Sequence, residues 1–450
     1  MSRFLPPTFR LMTGLLVVLP VVSMAQTIFE SPQTSLPATR GTPDRNVQAN
    51  AGSDDGELRV ALDDLINAAL YRNPAIKSAA ERFGAQQAQV PQARSLPDPT
   101  VSISWMGNIT PFSVQQGDPS SYRGLTVGEQ FPYPGKLKLR GQMADRGAEA
   151  ARWEYQQMKR QVVAEVKEAY YGYYYDIQAI TIIEQNKALL QKLESIAEAL
   201  YRVGKGIQQD VLRAQVEVSR IEQRLIILRQ QEQTARARIN TLLYRDPESP
   251  LPPPAPFSPA EFHATLAELY ALGRQNDPGI EMDRRMVERN RYAVDLARKA
   301  YDPDFSVEYN YFQRPGLPDM HGFMVGINIP VFYRTKQREG VIEASHNLMS
   351  TQRDLDNRMT SVNFAITQQY LAATASRNLS NLYSKAIVPQ SSLALESSMS
   401  AYEVGKLDFL SMLGNLINVL DYEVNYYQEL TAFQTALSRL EPLVGAELTK

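Results

Sequence analysis

The stretch Tyr201-Arg-Val-Gly-Lys-Gly206 returns almost unchanged as Tyr402-Glu-Val-Gly-Lys406, 201 residues further along the chain. Landmarks upstream of the two copies recur in the same order, which is the signature of an internal repeat. Asn73-Pro74 answers Asn276-Asp277-Pro278, and Leu96-Pro97-Asp98-Pro99 answers Tyr301-Asp302-Pro303-Asp304. Gln130-Phe131-Pro132 answers Asn328-Ile329-Pro330. The shift is 204 from Pro99 to Pro303 and 198 from Pro132 to Pro330, so the two units have diverged with few insertions. The crossing segment Asp246–Pro256 is too rich in Pro for helix or strand.

Within each unit the expected order is helix, two strands, helix, helix. From Lys136 to Leu200 apolar residues recur at steps of three and four (Val162, Val166, Ala169, Tyr173, Ile177, Ile180), and no Pro falls between Pro134 and Pro247. That narrow seam predicts one helix of roughly 100 Å at 1.5 Å per residue. A return helix is expected over 208–244. In the second unit the pair is expected over 336–401 and 408–440, with Pro389 kinking the first.

The strand segments, expected near 99–108, 121–132, 304–313 and 321–332, alternate strictly. Val101, Ile103 and Trp105 oppose Thr100, Ser102 and Ser104; Phe305, Val307, Tyr309 and Tyr311 oppose Ser306, Glu308 and Asn310. One apolar and one polar face suit strands with lipid on one side and water on the other, although a small soluble hairpin in each unit alternates too. Four strands cannot close a barrel, and open edges are not tolerated in hydrocarbon, so membrane strands here require several chains. Two chains give a filled barrel of about eight strands; three give about twelve and room for a channel.

Arg3 and Arg10 precede the apolar run Leu11–Val22 and the small-residue site Ser23-Met24-Ala25, so residues 1–25 read as a signal peptide. Residues 26–57 read as a loosely ordered polar leader. Removing the first 25 residues removes two Arg and no acid, leaving 45 basic against 49 acidic side chains, a net charge of −4. That balance argues against a nucleic-acid partner. With 0 Cys there are no disulfides, no thiolate metal sites and no lipid-accepting Cys. His263, His321 and His346 stand far apart, the 14 Met are scattered, and no catalytic motif occurs, so neither an enzyme, a cofactor nor a metal site is expected. Lys136, Lys138 and Arg140 follow a strand directly and suit either lipid headgroups or solvent. The cluster Tyr170, Tyr171, Tyr173, Tyr174 and Tyr175 covers more of a helix than one seam uses, and suits packing between helices or at the crossing segment.

From Leu58 to Leu440 the chain resembles the TolC-like outer-membrane channels, the exit ducts of tripartite efflux and type I secretion systems. The resemblance rests on Ala68-Ala-Leu-Tyr-Arg-Asn73-Pro74, Leu96-Pro-Asp-Pro99, Phe131-Pro-Tyr-Pro-Gly135-Lys136, Tyr201-Arg-Val-Gly204 with Asp210-Val-Leu-Arg-Ala214, and Val325-Gly-Ile-Asn-Ile-Pro330. It implies a mixed α/β membrane protein: a homotrimer whose 12-stranded β-barrel lies in outer-membrane lipid and continues as a 12-helix α-barrel of coiled-coil hairpins through the periplasm. Repeat one would span 58–246, a linker 247–258, repeat two 259–440 and a tail 441–450. It also implies a periplasmic adaptor and an inner-membrane pump of the RND type as partners, with the channel itself passive.

The resemblance makes Val203, Gly204, Lys205, Val404, Gly405 and Lys406 adaptor contacts at the periplasmic tips, where Gly would supply the turn; as bare residues they are equally two helix stops. In the family, paired Asp residues after the second turn ring the closed pore; Ser411 and Gly414 hold those positions here. Asp210 and Asp408 are the carboxylates nearby, suiting a solvated helix surface more than an acidic constriction, and packing of Leu407, Phe409 and Leu410 is an alternative gate. The wording around 405–410 and 325–330 is closer to the heavy-metal efflux branch than to the secretion branch. A periplasmic coiled-coil scaffold without a barrel is the competing function.

Overall fold

The structure, a computed structural model, describes residues 59–109 and 112–448; the expected signal peptide and leader lie outside the described residues. Repeat one runs α1 (Leu62–Arg72), α2 (Pro74–Arg94), β1 (Thr100–Met106), β2 (Tyr122–Phe131), α3 (Lys136–Arg202) and α4 (Gln208–Leu242). Repeat two runs α5 (Leu266–Asn276), α6 (Pro278–Lys299), β3 (Asp304–Gln313), β4 (Met320–Asn328), α7 (Gln337–Leu382), α8 (Val388–Glu403) and α9 (Phe409–Val444).

The single leading helix expected in each unit is two. The break falls at the Asn73-Pro74 and Asp277-Pro278 landmarks, because a residue before Pro is excluded from the helical region and Pro has no N–H to give. Asn73 is extended (φ −60°, ψ 123°) and its Oδ1 accepts the Ala75 N–H at 2.9 Å; Asp277 accepts the Ile280 N–H at 2.8 Å in the same role. Asn73 also donates to the Leu242 carbonyl at 3.0 Å, so the cap of α2 fastens the far end of α4.

The strands form one antiparallel sheet in the order β1-β2-β3-β4. Val101 opposes Val127, Val127 opposes Tyr309 and Val307 opposes Val325, so odd-numbered residues share one face across all four strands and even-numbered residues the other. The odd face carries ten exposed apolar side chains: Val101, Ile103, Leu125, Val127, Val307, Tyr309, Phe323, Val325, Ile327 and Ile329. The even face is polar and close-packed. Thr126 donates to Asn310 Oδ1 at 2.6 Å, and a Cβ on Gly124 would come within 2.2 Å of Ser104 Oγ. β1 is 7 residues long, shorter than its expected span; near its end Trp105 stacks on Phe112 at 4.1 Å.

α3 holds the helical body together, packing against α2, α4, α6 and α9. Three apolar cores lie along it and its neighbours. One joins α1, α3, the end of α4 and Leu251; one joins α5, α7, the end of α9 and Phe262; the third joins the two hairpins toward their turns. The Pro-rich segment is part of the first core. Val60 N–H donates to the Pro253 carbonyl and Ala255 N–H to the Val60 carbonyl, both at 3.0 Å. Tyr170 and Tyr173 donate to the carbonyls of Ala255 and Leu251 at 3.0 and 3.3 Å, and Phe257 packs on Tyr171 and Tyr174. The tyrosine cluster is therefore the buried clamp on the crossing segment. Burial pushes the phenols of Tyr170 and Tyr173 up to about 12, so they remain donors.

Polar ties cross between the repeats. Lys167 Nζ meets Glu441 Oε2 at 2.6 Å, both side chains buried. Arg439 meets Glu168 at 2.6 Å. Lys136 Nζ donates to Asp304 Oδ1 at 2.7 Å and to the Asp302 carbonyl at 2.9 Å, while the Tyr133 N–H also reaches Asp304. Lys136 is thus neither a lipid-headgroup contact nor a solvated helix start: it is a buried clamp between α3 and β3. The long helix expected over 336–401 is interrupted by a π-helical turn, Tyr383–Ile387, in which the Val388 N–H reaches back to the Tyr383 carbonyl. Pro389 lies just beyond it; its missing N–H leaves the Lys385 carbonyl without an α-helical donor.

Candidate functional site

The two hairpin turns share one backbone solution. Gly204 and Gly405 have φ of 72° and 73°, the left-handed region in which glycine has no Cβ penalty. Gly204 N–H donates to the Tyr201 carbonyl at 3.0 Å and Lys205 N–H to the Leu200 carbonyl at 2.9 Å. Gly405 and Lys406 repeat the pair at 3.0 and 2.9 Å, onto Tyr402 and Ala401. These bonds satisfy carbonyls that a helix end would otherwise leave open. Val203 and Val404 are each 67 % exposed, Lys205 and Lys406 are exposed, and a Cβ on either glycine would meet nothing within 4 Å. Conformation, and no packed neighbour, dictates glycine here, and the surface around it is open.

Past the turns the hairpins differ. Asp408 caps α9, its carboxylate accepting the Ser411 N–H at 2.9 Å and the Ser411 hydroxyl at 2.7 Å, and these bonds hold it below the usual carboxylate range. Asp210 lies in the first turn of α4, which has no side-chain cap; burial and then the charge of Asp408 push its carboxyl up. The same Asp210 charge adds to burial in raising the Tyr402 phenol. The structure therefore brings Asp210, Tyr402 and Asp408 together, one acid committed to a cap and the other half-buried. Phe409 is 2 % exposed, edge-on to Tyr402 at 5.8 Å and packed in the core between the hairpins. Leu407 packs on the same core, and Leu410 alone of the three is exposed. Gly414, where a pore carboxylate was looked for, faces open space.

The second surface is the sheet. Its odd face is apolar and exposed, its even face polar, and β1 and β4 are free edges. Because these ten side chains are between 36 % and 87 % exposed, leaving them in water forgoes on the order of 10–20 kcal/mol, a part of the about 1.5–3 kcal/mol that full burial of each would contribute. Among the described residues no helix is long and apolar enough to cross a membrane, and no group of three His, Cys, Asp or Glu side chains could hold a metal ion.

Residues 65–243 match the family described as outer membrane efflux protein, a span that ends at the close of the first hairpin. Solved structures match over nearly all of the described chain. The outer membrane protein VceC of Vibrio cholerae superposes with a TM-score of 0.72 at 17% identity, covering 86% of this chain and 96% of its own. The CmeC channel of Campylobacter jejuni gives 0.72 at 14% identity, covering 86% of each chain. The open-state MtrE channel of Neisseria gonorrhoeae gives 0.71 at 18%, covering 86% and 89%. The chain has the fold of the TolC-like outer-membrane channels. A search of curated protein sequences found no match.

In this TolC-like fold the residues that sequence reasoning missed are the buried polar ones. Lys167 and Glu441 stand 274 positions apart, and no local pattern joins them. Asp176 is buried in α3 among apolar neighbours, and no local pattern marks it. Asn73 was legible as a landmark, yet its second bond, to Leu242, needed the fold.

Proposed function

We propose that the chain is an outer-membrane exit duct: three copies close a twelve-stranded barrel, and their hairpins continue it as a helical tube. The supporting observation is the sheet itself, a four-stranded layer with one apolar face, one polar face and two free edges. Such a layer is stable in lipid only when other copies complete it and shield the polar face. The duct performs no chemistry. It conducts passively what an inner-membrane pump delivers through a periplasmic adaptor, and the exposed turns at Val203–Lys205 and Val404–Lys406 are the surfaces offered to that adaptor.

Cell fractionation tests the reading. A heat-sensitive trimer in the outer-membrane fraction is the expected result; a soluble periplasmic pool would favour a coiled-coil scaffold and refute the duct. The turns are tested separately. Gly204→Trp and Gly405→Trp are expected to leave trimers and membrane insertion intact while abolishing efflux, because a Cβ at either position points into open space within the copy. Loss of the trimer in both variants would reduce the turns to helix stops.

A further inference from the structure

The polar face of the sheet holds one charge that nothing on that face answers. Even-numbered residues share the face. Among those in the four strands no Lys, Arg or His occurs, and the acids are Asp304 and Glu308 alone. Asp304, at the helical end of β3, is held by Lys136 Nζ at 2.7 Å. Glu308 lies mid-strand and half-buried, opposite Gly128 on β2 and Met324 on β4. Its diagonal neighbours are Thr126, Gln130, Gly322 and Gly326, none of them charged. Glu129 on the neighbouring strand is odd-numbered and belongs to the other face.

Glycine at 128 is what admits the Glu308 side chain: a Cβ there would stand 3.0 Å from Glu308 Cγ and 3.2 Å from Thr100 Oγ1. The carboxylate is given room and no cation. An ionised carboxylate is costly in hydrocarbon, and equally so in a packed interior without a partner. The arrangement suits a surface that water reaches.

We propose that Glu308 sets the charge preference of the barrel lumen: three copies place three carboxylates at one height, and cationic solutes pass in preference to anionic ones. This rests on the duct reading above. A barrel of twelve strands has a radius of about 12 Å to its backbone, which leaves each carboxylate about 7–8 Å from the axis. In about 0.1 M salt, where charges are screened over about 10 Å, three such charges enrich a monovalent cation on the axis about threefold and deplete an anion equally. No basic side chain in the strands opposes them on that face. A ring of carboxylates in a pore wall selects cations in this way without binding any one of them tightly.

Because the chain contains 0 Cys, one introduced thiol reports the local field. Met324 is directly opposite Glu308 and 51 % exposed, so Met324→Cys places the reporter. In isolated outer membranes the full-length variant is treated with methanethiosulfonates carrying either a trimethylammonium or a sulfonate group. The ratio of cationic to anionic rate in about 0.1 M salt should be about three- to tenfold higher with Glu308 in place than with Glu308→Gln added. Any effect of the carboxylate on thiol ionisation is common to both reagents and leaves the ratio untouched. Glu308→Asp should keep the ratio high, and 1 M salt, where screening acts over about 3 Å, should collapse it. The reconstituted channel should show the same dependence: its cation-to-anion permeability ratio, read from the reversal potential in a KCl gradient, falls about threefold in Glu308→Gln. Each variant is checked for the same heat-sensitive oligomer. A thiol that reacts with a ratio indifferent to Glu308→Gln, or an unchanged reversal potential, overturns the role of Glu308 and leaves the duct standing. A thiol that reacts with neither reagent overturns both.

Discussion

Asp176 offers the sharpest test of how the helical wall is held. It lies on the face of α3 that packs on α4, between the buried Tyr173 and Ala179, and is itself only 7 % exposed. Burial pushes its carboxyl from 3.8 up to about 6, and the Glu232 carboxylate across the seam pushes it the same way; Glu232 is held by Arg236 at 3.7 Å. In the unfolded chain an Asp ionises near 3.9, so between about pH 4 and 6 the folded state binds more protons than the unfolded one. Stability from this group therefore falls as pH rises through that window, and above it the full penalty applies. A shift of about two units corresponds to about 3 kcal/mol. Asp176→Asn keeps the shape and removes the charge. It is expected to raise the unfolding free energy by up to about 3 kcal/mol at pH 7.5, and by less than about 0.5 kcal/mol near pH 4. For a chain of this size that is a rise in Tm of about 3 °C, measurable by circular dichroism on detergent-solubilised protein. A variant that melts below its parent at pH 7.5, or that gains equally at both pH values, would refute the argument.

Four further outcomes follow from named contacts. Lys167→Met leaves Glu441 buried without its cation and is expected to lower stability by about 3–5 kcal/mol in the same melts, with partial recovery on adding Glu441→Gln. Phe409→Ala empties a core position and is expected to lower stability by about 3–5 kcal/mol; because the ring faces the copy's own core, single-channel conductance of the closed state should not change. Gly204→Ala and Gly405→Ala force an L side chain to φ near 72° and should each lose about 1–2 kcal/mol, read as faster amide exchange confined to the hairpin turns. Ile103→Lys on the apolar face should lower the stability of the membrane-inserted protein by about 2–4 kcal/mol, whereas Ser102→Lys on the polar face, assayed identically, should be near neutral.

What the sequence disclosed depended on whether its cause was local. The glycine turns were legible because one residue type satisfies one backbone requirement, and the strands because a period of two survives in any surroundings. The break between α1 and α2 was missed although Asn73-Pro74 was read as a landmark: the apolar spacing continues across it, and periodicity carries no information about a change in axis. The burial of Phe409 was not legible for a related reason. Near a turn, a step of one residue moves a side chain from the outer surface to the seam, so Leu410 is exposed while Phe409 is buried. The clamps Lys136–Asp304 and Lys167–Glu441 were invisible because each joins the two repeats, and a repeat announces that its halves are alike without saying where they touch.

That likeness also explains the most uneven feature of the single chain. α3 corresponds to α7 and α8 together, yet α3 has 21 buried residues and the pair only Val362, Ile366, Ala373, Leu395 and Ser398. Along α7, Ile342, Met349, Phe364, Leu371, Leu379 and Leu382 are exposed. α3 lies between its own repeat and the next, so both of its flanks are covered, whereas α7 lies at the border of the copy with one flank open. In the proposed trimer the following copy would give α7 what repeat two gives α3. The apolar residues on α7 are thus a measure of assembly, and a single copy should lose α7 before α3. The π turn and Pro389 interrupt this helix and not the other. They place the backbone irregularity on the element whose packing depends on a neighbour, where a local rearrangement disturbs the fewest contacts within the copy.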